Sequence, residues 1–171
     1  MKLTEIAELV TETIITAPAE FWTGLKPNVD IPVINALYPT EVYSQEGKAI
    51  YILCDNVEYS VDEKAVGRQT IRNETRTKLI TLAVSMKITE VDTENLDVTP
   101  WQEAKVLLDL KEELDEVLLR YNWKQHKLRI GAFTTQPAGE SELETRYFIA
   151  STQIGFIDAC MLESLSTPPS S

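Results

Sequence analysis

The sequence predicts an α+β fold: an antiparallel sheet of about four strands, in two hairpins, packed against a long central helix, with an additional N-terminal helix. Three observations lead there. Apolar residues recur at helical spacing near the N-terminus and again after Pro100, and two long segments alternate strictly between apolar and polar residues. These two periods separate amphipathic helices from half-buried strands.

The first helix is carried by Leu3, Ile6, Val10, Thr13 or Ile14, and Ala17, with Glu5, Glu8 and Glu12 between them, and it ends before Pro18. Pro27, Pro32 and Pro39 then break any regular element. The apolar content of Ile31 to Tyr43 predicts a covering loop with room for a short edge strand. Ala49 to Cys54 is an apolar run of strand formers that continues as Val57, Tyr59 and Val61 against Glu58, Ser60 and Asp62. In the next strand Ile80, Leu82, Val84, Met86 and Ile88 share one face. The polar stretch Ser60 to Lys78, turning at Gly67-Arg68, makes the pair a hairpin whose far end leaves the core.

Thr99-Pro100-Trp101-Gln102 supplies an N-cap, a proline at the first helical position and a capping-box glutamine. The stripe Trp101, Ala104, Leu107, Leu108, Leu114, Val117, Leu118 and Tyr121 then places one helix face on the sheet, opposite a run of acids, lysine and arginine. Leu128, Ile130 and Ala132 alternate next, Pro137-Ala138-Gly139 turns the chain, and Arg146 to Ile157 forms a final strand with Phe148, Ala150, Thr152, Ile154 and Phe156 on one face. One domain over residues 1–163 is expected, followed by a disordered tail at 164–171 that contains Pro168, Pro169, Ser170 and Ser171.

Composition narrows the function classes. The chain has 171 residues with a formal charge of -11, which opposes general attraction to phosphate backbones and anionic lipid. No run approaches the ~20 apolar residues of a membrane helix, and acidic residues follow Met1 too early for a signal peptide. Cys54 and Cys160 are too far apart for a metal or redox motif and read as two thiols, with a disulfide left open.

Catalytic signals are sparse. The single histidine, His126, lies beside Lys124 and Lys127 and reads as a solvated linker rather than a base. No serine carries the flanking glycines of a nucleophile elbow. The stretch Asp92, Glu94, Asn95, Asp97 with Glu103 spans a calcium-loop length, yet Asp97 stands where the turn requires glycine. With six glycines in all and no phosphate-cradling loop among them, no nucleotide site is expected. The expectation is a protein with no catalytic residue, cofactor or metal.

Two charge features remain. Arg68, Arg72, Arg76 and Lys78 are the one basic concentration, and the last three share a strand face. With Gly67 they are the expected subunit or partner contact, against the plainer reading of a soluble strand face balanced by Glu74. Glu58 and Asp62, with the Glu90 to Asp97 connection as second choice, are the acids that flank the strand ends expected to face out of the core.

The order of elements resembles the tail terminator, or tail completion, proteins of long-tailed bacteriophages over about Ile34 to Ile157. The residues that carry the resemblance are Ala36-Leu37-Tyr38-Pro39, the strand Ala49 to Leu53 followed by Asn56-Val57-Glu58, the Gly67-Arg68 turn, the strand Leu79 to Lys87, the helix segment Leu107 to Leu114, and Arg146-Tyr147-Phe148. The first strand ends in Cys54-Asp55 where the family pattern has a proline, and the acidic connection Glu90 to Thr99 is longer than usual. The resemblance implies a structural virion protein of the tail and neck, made in the host cytoplasm. It implies a homo-oligomeric ring, a hexamer, that caps the tail tube protein and meets the head completion or stopper protein, touches a sheath protein if the tail is contractile, and lets DNA pass without specific binding. The alternatives are a head-tail stopper or adaptor and, more distantly, a small soluble enzyme or ligand-binding domain.

Overall fold

The computed structural model describes residues 1–36, 48–88, 100–121, 123, 126–131, 134–138 and 146–161, with the backbone alone described at 87–88, 100–101, 103, 134–138, 146–147 and 159–161. The sequence features at 37–47, the acidic connection with the calcium-like stretch, the Thr99 cap, Gly139 and the 164–171 tail lie outside the described residues.

Helix α1, Leu3–Ile15, buries Ile6, Ala7, Val10, Thr13 and Ile14, the stripe its spacing predicts. Glu5 reaches back to accept from the Lys2 amide, satisfying one of the orphan donors at the helix start. Thr11, Thr13 and Thr16 donate their hydroxyls to the carbonyls of Ala7, Leu9 and Glu12, which accommodates these poor helix formers. Pro18 opens a short 3-10 turn, Ala19–Phe21. The chain then reaches β1, Val33–Ala36, an edge strand.

Strands β2, Lys48–Val66, and β3, Gln69–Ile88, form one continuous antiparallel hairpin. The polar stretch Ser60 to Lys78 is the far end of this hairpin and is strand on both sides of Gly67-Arg68. Helix α2, Pro100–Arg120, leads to β4, Lys127–Ile130, β5, Thr134–Ala138, and β6, Arg146–Met161. The sheet order is β1-β2-β3-β6-β4, with β5 also on β6. Strands β4 and β5 lie end to end along β6, opposite residues 154–157 and 147–151. Gly131 sits at the break, donating to the Gln153 carbonyl at 2.8 Å, where an added Cβ would meet that oxygen at 3.0 Å.

This architecture corrects the expected one. Strands make up more than half of the described residues and helix under a third, so the protein is mostly β. The sheet is mixed, because β1 runs parallel to β2 while the other pairs are antiparallel. No single central helix carries the sheet. Helix α1 packs against β2 and α2 against β3 and β6, and the two helices also touch each other. The physical reason is that α1 buries an apolar stripe of its own, Ile6, Val10 and Ile14, in the same core as Leu107, Leu110, Leu114 and Leu118 of α2.

The main core lies between the helices and one sheet face. Ile50, Ile52, Ile80, Leu82, Val84, Met86, Ala150, Ile154 and Phe156 meet Ile6, Val10, Ile14, Leu107, Leu110, Leu114 and Leu118, with Phe148 partly buried beside them. The opposite face holds a smaller cluster of Ala36, Ala49, Tyr51, Leu53 and Ala83. The central strands are thus apolar on both sides, as the run Ala49 to Leu53 predicts.

Candidate interaction surface

The hairpin is the part of the fold with the least to bury. At roughly 3.3 Å per residue a strand of its length spans about 60 Å. Strand β1 pairs with β2 only from Ile50 to Leu53, and β6 accompanies β3 as far as Asn73. Residues 58–73 are exposed, and they include Tyr59, Val61, Val66 and Ile71. At the tip, Val66 pairs with Gln69 across the two-residue turn Gly67-Arg68. Gly67 has φ 65°, and Arg68 is not among the positive-φ residues, as a type II′ turn requires.

A bulge decides which residues share a face of this arm. Cys54 pairs with Ile80 and Asn56 with Leu79, so Asp55 is the extra residue. Its carboxylate accepts from the Thr81 hydroxyl at 2.6 Å and the Gln153 amide at 3.0 Å, which holds the bulge in place. Before the bulge Ile50, Ile52 and Cys54 face the helices. After it the phase shifts by one, and Val57, Tyr59, Val61 and Glu63 continue that side of the sheet.

The two sets of charged candidates consequently separate. Arg72, Glu74, Arg76 and Lys78 lie on the helix side, in line with Leu82 and Val84. Glu58 and Asp62 lie on the other face, opposite Thr77 and Asn73. Gly67 and Arg68 occupy the turn, away from both. The basic run is also charge-balanced, since Arg72 pairs with Glu63 across the hairpin at 2.9 Å and Arg76 with Glu74 at 2.9 Å. The Arg76 guanidinium stacks 5.9 Å from the centre of the Tyr59 ring. The helix-side face thus presents tyrosine and arginine, residue types enriched in protein interfaces, beside valine. The other face presents Glu58, Ser60, Asp62, Asn73, Thr75 and Thr77.

Two groups elsewhere escape sequence reading. The side chain of Lys111 on α2 is fully buried and donates to Asp115 at 2.5 Å and to the Thr152 hydroxyl on β6 at 2.7 Å. Burial lowers its pKa, and the opposing pull of Asp115 is the smaller effect. The available signal was a Lys–Asp pair four residues apart inside the apolar stripe. His126 is also misread as a solvated linker: both ring nitrogens are buried and, among the described residues, have no hydrogen-bond partner. Cys54 is a free thiol packed at the edge of the main core, its pKa raised by burial and then by Asp55.

Among the described residues no three His, Cys, Asp or Glu side chains are placed to hold a metal, and no helix is long and apolar enough to cross a membrane. No protein-family model and no curated protein matches this sequence.

Proposed function

We propose that the protein is a structural virion component, a tail terminator whose copies close into a ring, a hexamer by the family resemblance, that caps the tail tube and meets the head completion complex. The observation that supports this reading is the arm. It is an ordered hairpin whose outer residues are exposed on both faces, and such a ribbon gains its stability from a neighbour more readily than from solvent.

The division of the arm into two unlike faces fits a ring with a conduit. The helix-side face, with Arg72, Arg76 and Lys78, and the turn Gly67-Arg68 engage an adjoining subunit or tail component. The opposite face turns Glu58 and Asp62 toward the channel, where like charge keeps passing DNA from binding. The role needs neither catalysis nor a cofactor, and its setting is the tail and neck of the particle.

Particles assembled without the protein test the reading. Unfinished or overlong tails are expected. Normal tails on heads that leak DNA would assign the chain to the stopper position instead. Hydrogen exchange of residues 60–78, slow in the assembled particle and fast in the monomer, would place the arm at a contact; equal exchange in both would remove it.

A further inference from the structure

His126 lies where α2 gives way to β4, inside an aromatic group. Its ring stands edge-on to Phe156, centroids 6.4 Å apart at 88°. Trp123 packs on the same Phe156 ring at 5.0 Å and on Tyr121 at 4.5 Å. The Trp123 indole donates to the Leu118 carbonyl at 2.8 Å, and the His126 amide donates to the Trp123 carbonyl at 2.9 Å. Phe156 is fully buried and pairs with Lys78 on one side and Leu128 of β4 on the other. The histidine therefore seals the junction of the helix end, the edge strand and the core.

An imidazole with two buried nitrogens and no acceptor among the described residues is tolerable only while it is uncharged. Among the described residues, three charged groups bear on it. Asp158, two residues beyond Phe156 on β6, favours the imidazolium, whereas Lys78 on β3 and the N-terminal amine disfavour it. Burial is the largest influence and, with Lys78 and the amine acting in the same direction, it prevails over Asp158 and lowers the histidine's pKa. Strand β4 itself is held by four pairings at the sheet margin.

We propose that His126 is an acid-sensitive latch: uncharged, it closes the Trp123–Phe156 group and keeps the α2–β4 connection and edge strand β4 on the sheet. On taking a proton from solvent it leaves that group for water, and β4 separates from β6. The helices and the β2–β3 hairpin stay in place, because the core they share also holds Ile6, Val10, Ile50, Ile80, Leu82, Leu107 and Leu114. This inference is independent of the ring and tail assignment.

The test uses the full chain without a histidine tag, so that its single histidine reports alone. Hydrogen exchange of Lys127–Ile130, corrected for intrinsic rates, is compared with that of Ile50–Leu53 between about pH 7 and an acid pH below the imidazole's own midpoint, which burial sets under the ordinary histidine value. Protection of β4 is expected to fall by about tenfold or more while β2 holds, tracking the NMR titration of the imidazole. His126→Phe should keep β4 protected at both pH values. Should the phenylalanine fail to fold, His126→Gln should give β4 a protection that is lower but insensitive to pH. An unchanged β4 in the wild type, or an equal acid-induced loss in the variant, would overturn the latch.

Discussion

The Nζ of Lys111 sits 2.5 Å from a carboxylate oxygen of Asp115 one helical turn on, with none of the lysine side chain exposed. The pair lies against β6, where Thr152 supplies a further oxygen. Its desolvation makes the two partners unequal in what their removal does. Asp115→Ala strands a buried cation and should cost about 3–5 kcal/mol, whereas the double change Lys111→Met, Asp115→Leu should be neutral or stabilising by about 1–4 kcal/mol. Urea midpoints of the three proteins decide this, and an Asp115→Ala protein as stable as the wild type would count against a charged Lys111.

The same lysine makes stability rise with pH. Its folded pKa lies below the unfolded value of 10.5, so the charged form burdens the fold fully below the folded pKa. The burden is relieved as pH climbs toward 10.5. Wild type should therefore gain stability relative to Lys111→Met on the alkaline side, as paired denaturation curves can measure. A difference that is constant with pH would mean the amine does not titrate in the fold.

Leu114 is fully buried at the centre of the contact between α2 and the sheet. Leu114→Ala should destabilise by about 2–5 kcal/mol. An unchanged melting midpoint would show that α2 does not depend on that packing.

The arm contributes little to the core. Excising residues 63–72 and joining the paired Asp62 and Asn73 with Asn-Gly, which suits a two-residue turn, should leave the melting transition nearly unchanged and abolish assembly. Sedimentation gives the second readout. Assembly that survives the excision would move the contact off the arm.

Acid on the outer face of the arm is proposed to keep DNA unbound. Glu58→Lys with Asp62→Lys should make the assembled ring retain duplex DNA at low salt, with affinity falling steeply as salt rises. Retention by the wild type, or none by the variant, would place these residues away from the channel.

Much of the fold was legible because its signals are local. The α1 stripe is complete over 13 residues, the Gly67-Arg68 turn is a dipeptide choice, and the alternation from Ile80 to Met86 needs no partner to be read. In α2 the reading was less exact. Tyr121 joined the predicted stripe but is exposed, and Leu110 and Lys111 were left out although both are buried. A helix stripe has a width that the neighbouring sheet determines, and a lysine enters it only when a carboxylate and a hydroxyl await it.

Sequence alone determined where the helices and long strands form, since their periodicity is set by contacts within one or two turns or a few residues of strand. Tertiary structure decided what each face meets. Strand β1 runs parallel to β2 through pairings 17 residues apart, such as Val33 with Ile50. The bulge at Asp55, held by Thr81 and Gln153, sets the acids and the arginines of the arm on opposite faces. The His126 ring nitrogens became buried, with no partner among the described residues, where Phe156, 30 positions away, was brought beside the ring. These outcomes depend on groups distant in the chain, whose approach no local pattern encodes.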